Sequence, residues 1–326
     1  MAALAPAVAA CRVAVRRALT GLPNDTLVLV ACSGGADSLA LASATAFVAP
    51  RAGLRAGLVT VDHGLQPGSG ERAAAVVSWA GEAGLAPAEA VAVRVDGRPG
   101  GPEAAAREAR YEALAGAAGD LDAAAVLLGH TRDDQAETVL LALARGGGPR
   151  GIAGMPARRL IRGVPFLRPF LDVSRAQTRA ACADLGLRPW QDPHNADPAY
   201  ARSRARAAMP VLVEALGPDL VDNLARTAGL VAADVEALDA LAEHSRPGVV
   251  YEDGSLDVAS LAGLPTALRT RLLRDLALRA GCPPGALSAT HIDALDALVT
   301  DWHGQGPVGL PGGLTVARRH GRLTAG

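Results

Sequence analysis

Between residues 26 and 145, short apolar runs alternate with longer segments of helical periodicity, and this alternation constrains the fold more than any other feature. The runs are Thr26–Ala31, Leu54–Val61, Ala90–Val95 and Ala124–Leu128, and each precedes a helical segment. Strands that alternate with helices in this way form βαβ units, which build a parallel sheet covered by helices. We therefore predict an α/β fold with a doubly wound parallel sheet, in which ligands bind at the carboxyl ends of the strands.

The character of the chain changes after Pro210. Helical patterns follow at Asp219–Glu243, Thr266–Arg279 and Ser288–Val299, and the tail GGLTVARRHGRLT is typical of a small β-hairpin. The 326 residues are enough for two globular domains, each with a buried core. We predict a first domain over residues 1–214 and a smaller, mainly helical domain over residues 215–326.

The composition excludes several kinds of site. All 32 basic residues are arginine, so a Walker A loop and a Schiff-base lysine are impossible. The four cysteines form no C-x-x-C pair, which argues against a zinc ribbon and a redox pair and favours reduced thiols. Because aromatic residues make up only 3% of the chain, the core must consist mainly of Ala, Val and Leu.

The first twenty residues predict an amphipathic helix rather than an export signal. Apolar residues recur at helical spacing, and the basic residues follow the apolar part instead of preceding it. The apolar positions are Leu4, Val8, Cys11, Val15 and Leu19. No apolar run approaches the roughly 20 residues of a membrane span. We expect a cytoplasmic protein without a membrane partner, and the sequence is compatible with a homodimer.

A loop between the first strand and the next helix has the composition of a phosphate site. Its residues are Ser33, Gly34, Gly35, Ala36, Asp37 and Ser38. The glycines allow close approach of an anion, the serines donate hydrogen bonds, and the helix start adds partial positive charge. Asp37 would repel a phosphate unless Mg²⁺ lay between them. The alternative is an ordinary strand-to-helix turn capped by Ser or Asp.

This loop resembles the pyrophosphate loop of the ATP pyrophosphatase superfamily, and further motifs are similar to those of its lysidine synthetase family. In chain order they are Val61–Leu65, Glu103–Tyr111, Gly129–Thr138, Arg145–Met155, Arg168–Leu171 and Asp192–Arg202. The similarity covers about residues 25–215, and the combination is far more specific than any single motif. One departure is that Ser203 stands where the family commonly has Asn.

Three acidic residues open the helix after the fourth strand. Asp133 and Glu137 are four residues apart and share one helix face, with Asp134 beside them. Helix capping explains one acid well and three poorly. We predict that they bind Mg²⁺ or a cationic substrate, with Asp37 and Asp133 as the metal ligands.

Two histidines and an arginine complete the predicted ATP site. His63 and His130 end neighbouring strands. A single histidine is often structural, but two at one sheet edge favour contacts with ATP phosphate or nucleobase, so we predict that they and Gly129 belong to the ATP site. Arg110 is a candidate for the phosphates, because a guanidinium can donate two parallel hydrogen bonds to an anion. Arg107 is equally well explained as a surface charge.

A basic segment follows the first half of the chain. Residues 145–210 contain 12 Arg and 4 acidic residues, although the whole chain carries a net charge of −1. A solvated face is the simpler interpretation, and a polyanion-binding surface is the sharper one. We predict that tRNA contacts Arg145, Arg150, Arg202, Arg204 and Arg206. We also predict that residues 1–214 form the ATP-binding catalytic domain and that the mainly helical residues 215–326 form a tRNA-binding domain.

The resemblance implies a reaction as well as a fold. ATP, with Mg²⁺, would adenylate the C2 oxygen of the wobble cytidine in the CAU anticodon of isoleucine tRNA. The ε-amine of free L-lysine would then displace AMP. A tRNA 2-thiolase and a non-catalytic tRNA-binding relative are the alternatives, but the first usually needs catalytic cysteines and the second has no need of an intact loop.

Overall fold

The computed structural model describes residues 4–64, 66, 68–94, 102–192 and 197–326, with only the backbone of residues 102–104. Val95, Leu65 and Asn195, which belong to the predicted strand and motifs, lie outside the described residues, as does the side chain of Glu103. The chain forms two compact units. One consists of residues 1–147 with 151–229, and the other of residues 148–150 with 230–326. The predicted domain boundary at residues 214/215 stays a prediction.

The first unit is built around a six-stranded sheet of order β3-β2-β1-β4-β6-β5. The strands are β1 Leu27–Ala31, β2 Arg55–Asp62, β3 Ala88–Ala92, β4 Ala123–Leu128, β5 Arg158–Ile161 and β6 Val164–Leu167. The first four and β6 are parallel, and only β5 runs antiparallel. The chain winds outward from β1 first to one side and then to the other, so β1 and β4 flank the switch point at which such sheets bind ligands.

Nine helices begin between the N-terminus and residue 245 in the described part of the chain. They are α1 Pro6–Leu19, α2 Ala36–Arg51, α3 Ser69–Glu82, α4 Pro102–Asp120, α5 Arg132–Ala144, α6 Pro149–Ile152, α7 Arg175–Asp184, α8 Ala201–Leu216 and α9 Leu220–Ser245. The predicted doubly wound α/β fold is therefore confirmed. The predicted stripe of α1 is buried, except for Leu4, which precedes the helix and is exposed.

Alternate side chains of β1 point into two cores, because successive residues of a strand face opposite sides of the sheet. Val28 and Val30 pack with residues of α1, α2 and α7, whereas Leu29 and Ala31 pack with residues of α4. Both cores consist mainly of Ala, Val and Leu, as the composition predicts. The central strands of the sheet are thus covered on both faces, whereas the edge strands β3 and β5 are partly exposed.

The second unit combines helices with a four-stranded antiparallel sheet of order β7-β10-β9-β8. Its remaining elements are β7 Leu256–Asp257, α10 Val258–Ala262, α11 Thr266–Arg279, α12 Ala289–Thr300, β8 Val308–Leu310, β9 Leu314–Arg319 and β10 Arg322–Ala325. The predicted C-terminal hairpin is confirmed as β9–β10. Its two-residue turn has positive φ at both His320 and Gly321, which is typical of a type I′ turn.

Candidate functional site

The loop between β1 and α2 presents backbone N–H groups that no side chain caps. Gly34 has φ of +81°, and no side chain caps the N-terminus of α2, so its first N–H groups face outward. The Ser38 hydroxyl accepts the N–H of Ser33 at 3.2 Å and donates to the carbonyl of Gly35 at 2.9 Å. These bonds hold the loop in one conformation, in which an anion can meet the start of the helix.

Gly129 brings the end of β4 against this loop. A Cβ atom at this position would lie 3.1 Å from the carbonyl carbon and oxygen of Asp37 and 3.2 Å from the Cα of Ser38. Those neighbours are backbone atoms that cannot turn aside. A side chain at position 129 would therefore have to push the start of α2 away by a few tenths of an ångström, so glycine allows the close approach of the end of β4 to the phosphate loop.

A cavity of about 310 Å³ opens at the carboxyl ends of β1 and β2. We call it the β1–β2 pocket. Four residues predicted to bind ATP or act in catalysis line it: Ser33, Gly35, His63 and Arg110. Trp190 lines it from a different segment, and Arg72 stacks over the indole at 4.5 Å. The sequence did not single out Trp190. Its backbone N–H donates a hydrogen bond to the carbonyl of Gly34, and this bond holds the residue beside the pocket.

The remaining residues of the predicted ATP site do not line the β1–β2 pocket. They are Gly34, Ala36, Asp37, Ser38, Gly129 and His130. Gly34, Ala36 and Ser38 shape the loop or open the helix, and Gly129 sets the distance to β4. The predicted ATP site therefore includes residues that line the pocket and residues that only support the loop beside it.

Two basic side chains of the β1–β2 pocket, those of Arg110 and His63, have donors or acceptors that no described residue pairs with. Among the described residues, the Arg110 side chain makes no hydrogen bond or ion pair, and burial lowers its pKa. The Nδ1 atom of His63 is buried and has no hydrogen-bond partner in the described part of the chain. Burial, and then the charge of Arg110, lower the pKa of His63. Buried donors without partners are costly, so these groups are suited to a ligand.

On the other side of β1, two of the predicted acids are buried and paired with arginines. Arg175 contacts Asp134 at 2.9 Å and Glu137 at 3.0 Å. Arg206 contacts the same two carboxylates at 3.3 Å and 2.9 Å. We call Asp134, Glu137, Arg175 and Arg206 the acid–arginine cluster. Its two negative and two positive charges balance.

The three acids differ in burial and in the hydrogen bonds and ion pairs that their carboxylate oxygens make with the protein. Asp134 Oδ2 accepts the N–H and hydroxyl of Thr131, which forms a capping box at the start of α5, and its Oδ1 meets the two arginines. Burial alone would raise the pKa of Asp134. The charge of Arg175 and the hydrogen bonds from Thr131 outweigh this effect, so the pKa of Asp134 is below its usual value. Asp133 accepts the N–H of Arg175 through one oxygen, at 2.7 Å. Glu137 is only 1% exposed.

Asp37 lies close to this cluster but makes no ion pair within the described chain. Its carboxylate accepts a hydrogen bond from the hydroxyl of Thr178 on α7. Burial raises the pKa of Asp37, and the hydrogen bond from Thr178 opposes this rise. A partly buried carboxylate without a cation is a natural ligand for a metal ion.

The prediction that His63 and His130 end neighbouring strands is wrong, because β1 lies between β2 and β4. His130 lies near Asp134 and near the basic side chains of Arg110 and Arg168. Among the described residues, its buried Nδ1 atom has no hydrogen-bond partner. Burial lowers the pKa of His130 to about 3, against the attraction of Asp134 and with the help of Arg110 and Arg168. The imidazole is therefore neutral at physiological pH. Arg168 itself is buried and donates to the Pro156 carbonyl and the Tyr111 hydroxyl.

The five arginines predicted to contact tRNA have different surroundings. Arg206 is committed to the acid–arginine cluster, and Arg202 donates to the Thr138 hydroxyl at 2.8 Å. Arg204 is exposed and bonds only to backbone carbonyls. Arg145 is exposed, and Arg150 pairs with Asp239 at 2.6 Å. Arg204 and Arg145 thus have the most freely available charges.

Sequence reasoning missed Arg175, although a signal for its position exists. Ser174 and Gln177 form a capping box at the start of α7, and this S-x-x-Q pattern marks a helix N-terminus. The pattern places Arg175 in the first turn of a helix, but only the fold brings it to α5. Gln135 was also missed; it donates to the carbonyl of Met155 and accepts its N–H.

Two family models match the chain. One, described as a PP-loop domain, matches residues 12–212, and the other, described as a TilS substrate binding domain, matches residues 256–324. Within the described residues, no helix combines the length and apolar character needed to cross a membrane.

Curated relatives are similar along nearly the whole chain. The tRNA(Ile)-lysidine synthase of Salinispora arenicola is 68% identical over 325 residues, which cover 99% of this chain and 98% of that protein. The protein of the same name from Thermobifida fusca is 59% identical, with 98% and 97% covered. That of Mycolicibacterium paratuberculosis is 48% identical, with 90% and 89% covered.

A solved structure shares the fold. The U34-tRNA thiolase NcsA from Methanococcus maripaludis, determined with its [4Fe-4S] cluster, aligns with a TM-score of 0.57 at 18% identity. The alignment covers 70% of this chain and 80% of that one. At this identity the likeness supports the fold alone.

Proposed function

Because the chain belongs to the tRNA(Ile)-lysidine synthase family, we propose that two neighbouring parts of its site divide the reaction. The reaction ligates free L-lysine to C2 of the wobble cytidine in the CAU anticodon of isoleucine tRNA, and converts ATP to AMP and pyrophosphate. In our proposal the β1–β2 pocket binds ATP and the acid–arginine cluster receives lysine. A contrast in charge pairing supports this division. Among the described residues, Arg110 has no hydrogen-bond or ion-pair partner, whereas Asp134 and Glu137 form ion pairs with arginines.

The adenylation step uses the donors around the phosphate loop. The C2 oxygen of the cytidine attacks the α-phosphate of ATP, and the bond to pyrophosphate breaks. The N–H groups at the start of α2 and the hydroxyl of Ser33 bind the departing phosphates, and Arg110 stabilises the negative charge of the transition state. Neutral His63 and His130 can contribute hydrogen bonds without adding repulsion between cations.

The residues present are compatible with Mg²⁺. Among the described residues, no three His, Cys, Asp or Glu side chains gather as a metal site. Magnesium is commonly held by one or two carboxylates together with substrate phosphates, so Asp37, alone or with Asp133, which like Asp37 lies near Arg175, would suffice. Bound Mg²⁺ would neutralise charge on the phosphates. Asp37 also keeps the hydrogen bond from Thr178, which orients its carboxylate.

In the second step the ε-amine of lysine attacks C2, and AMP leaves with the oxygen. A protonated amine cannot attack, so a carboxylate must remove its proton directly or through water. Both oxygens of Glu137 bind arginine side chains, which a cationic substrate can replace. Glu137 suits this task better than Asp134, because Asp134 Oδ2 is also held by the backbone N–H and the hydroxyl of Thr131. Lysine must displace a guanidinium from Glu137, and Arg206 is the more exposed of the two arginines, at 34% against 14%.

Transfer RNA contacts are proposed for the basic segment. Exposed Arg145 and Arg204 can bind phosphates directly, whereas Arg202 and Arg206 would contact tRNA only after leaving their partners on α5. Arg150 would have to exchange Asp239 for a phosphate. A cytoplasmic location and a homodimer stay predictions from the sequence.

The thiolase alternative fits the cysteines poorly. All four are buried. Burial raises the pKa of the Cys11 and Cys182 thiols to about 11, and it also raises the pKa of Cys32. A reactive thiol needs an accessible thiolate, which these surroundings disfavour.

The test is incorporation of labelled lysine into isoleucine tRNA in the presence of ATP and Mg²⁺. We expect wild-type enzyme to form lysidine and release pyrophosphate, and Asp37→Asn to lose adenylation while it stays folded, because the amide oxygen can still accept from Thr178. Asp172→Asn, which changes an exposed carboxylate paired with Arg17, is the matched control and should remain active. Sulfur transfer without lysine incorporation, or normal turnover in Asp37→Asn, would contradict the proposal.

A further inference from the structure

Four residues of the β1–β2 pocket come from two segments that are far apart in the chain. Gln66 and Arg72 lie between the end of β2 and the first turn of α3, whereas Trp190 and Asp192 follow α7. All four line the pocket, and each is partly buried. We call them the outer wall. None of them belongs to the predicted ATP site, and the adenylation step described above does not use them.

The side-chain amide of Gln66 connects the two segments of the outer wall. Its Nε2 atom donates to Asp192 Oδ1 at 2.9 Å, and its Oε1 atom accepts a hydrogen bond from the Arg72 guanidinium at 3.3 Å. Because one end of the amide donates and the other accepts, these two partners fix its orientation. Gln66 and Asp192 are 126 residues apart in the chain, so only the folded pocket brings them together.

Trp190 is held in the outer wall by two further contacts. Its backbone N–H donates to the carbonyl of Gly34 at 2.9 Å, and Arg72 stacks over its indole ring at 4.5 Å. The first contact joins the wall to the phosphate loop at the glycine that has positive φ. The second joins it to α3, and tryptophan is the aromatic side chain that attracts a cation most strongly. The position of the indole therefore affects both the phosphate loop and Arg72.

The outer wall also affects how strongly the pocket can hold a charged ligand. Charges attract each other weakly where water surrounds them and more strongly where protein excludes water. Arg110 lines the same cavity as the four wall residues. Because these residues occupy one side of the cavity, they keep water away from a phosphate bound there. Their arrangement therefore influences nucleotide affinity even where they do not touch the phosphates.

We propose that Trp190 is a positioning residue for ATP, since its indole holds Arg72 and the phosphate loop in the arrangement that binds the nucleotide. Gln66 and Asp192 connect the two halves of the outer wall in the same arrangement. This inference rests on the proposed function, in which the β1–β2 pocket binds ATP. The competing interpretation is that Trp190 only stabilises the fold, which predicts a lower melting temperature with unchanged ATP affinity.

The first test measures the binding of labelled ATP with Mg²⁺ by equilibrium dialysis, without tRNA or lysine. Trp190→Ala should bind ATP on the order of tenfold more weakly, whereas Trp190→Phe should stay within about twofold of wild type, because a phenyl ring can still stack with Arg72. Trp302→Ala is the matched control. It also removes an indole that carries an arginine, Arg318 at 5.1 Å, but from the second unit, so ATP affinity should not change.

The second test exchanges the two partners that connect the segments. Gln66→Glu keeps an acceptor for Arg72 but cannot donate to Asp192 and repels it, so this variant should also bind ATP on the order of tenfold more weakly. Gln66→Glu/Asp192→Asn places the acid and the amide in each other's positions and should recover most of the affinity. This pair of variants decides the question even if Trp190→Ala does not fold.

Fluorescence provides a readout that a residue with a purely structural role would not change. In Trp79→Phe/Trp302→Phe, Trp190 is the single tryptophan of the chain, and its emission should change when ATP is added without tRNA. Unchanged ATP affinity in Trp190→Ala, an equal loss in Trp302→Ala, no recovery in the exchanged double variant, or unaltered Trp190 emission at saturating ATP would overturn the proposal. If the wild-type enzyme bound ATP but formed no lysidine, the proposed function would fail instead.

Discussion

The β1–β2 pocket and the acid–arginine cluster lie at neighbouring strand ends of one sheet, yet their charges are arranged in opposite ways. In the pocket, Arg110 and the Nδ1 atom of His63 have no hydrogen-bond partner among the described residues. In the cluster, Asp134 and Glu137 are buried and both contact Arg175 and Arg206, and Glu137 also lies 3.9 Å from Arg202. The pocket therefore offers an unpaired guanidinium and a neutral imidazole to an anion, whereas the carboxylates of the cluster are already paired.

This difference separates two ways in which a protein prepares for a charged ligand. An unpaired buried cation costs folding free energy, and a bound anion recovers it. A paired acid contributes to stability, and a cationic ligand must compete for it. Substitutions in the pocket should therefore affect activity alone, while those in the cluster should affect activity and stability together.

The largest expected effect is that of Arg110→Gln. Loss of a donor to the developing phosphate charge should lower kcat/KM for ATP by roughly 10²–10³-fold, or about 2.7–4 kcal/mol. The free energy of unfolding should stay the same or increase, because an unpaired buried charge disappears. Pyrophosphate release and urea denaturation measure the two quantities. Arg107→Gln is the comparison on the same helix; its guanidinium is exposed and bonds to Tyr111, so its effect should be at least tenfold smaller.

Glu137→Gln should alter both quantities. Loss of the carboxylate should lower kcat/KM for lysine by about 2–4 kcal/mol, and the free energy of unfolding should fall by about 1–3 kcal/mol because two arginines lose a partner. Lysine saturation kinetics at fixed ATP and tRNA, with urea denaturation, give both values. Glu214→Gln, an exposed acid on α8, should change neither. Unchanged lysine kinetics in Glu137→Gln would leave this residue with a structural role only.

The smallest effect concerns His130, which lies between the two regions. Its folded-state pKa of about 3 is below the unfolded value near 6.5, so its neutral form contributes stability that is present above pH 6.5 and is lost as the pH falls toward 3. Between pH 7 and pH 5, wild type should lose about 1–2 kcal/mol more unfolding free energy than His130→Gln. Urea denaturation at both values measures this difference. Equal losses would mean that His130 titrates normally in the folded protein.

The sequence predicted most of the first unit because its strands and helices are distinct in composition. Thr26–Ala31 and Ala124–Leu128 are apolar runs buried on both faces, and they became β1 and β4 within one residue at either end. The hairpin β5–β6 was missed, because Arg158 and Arg159 are exposed on an edge strand and resemble a loop. The small sheet of the second unit was predicted only as a hairpin, since β7 and β8 have two and three residues.

The candidate site was predicted in its residue types but not in its pairing. The order of Ser33, Asp37, His130 and Glu137 along the strands places them at one sheet edge. Nothing in that order shows that Arg175 and Arg206, 38 and 69 residues beyond Glu137, fold back onto it. Long-range ion pairs depend on how α7 and α8 pack, which residue spacing within an element does not determine.

The close approach at Gly129 also limits how this enzyme can be redesigned. With its Cβ position 3.1 Å from the backbone of Asp37, the end of β4 and the phosphate loop form one template, although about ninety residues separate them in the chain. A loop grafted from another nucleotide-binding protein would fit only if the matching strand end were transplanted with it. The smallest exchangeable part of this active site is therefore a pair of distant segments, residues 33–38 and 128–130.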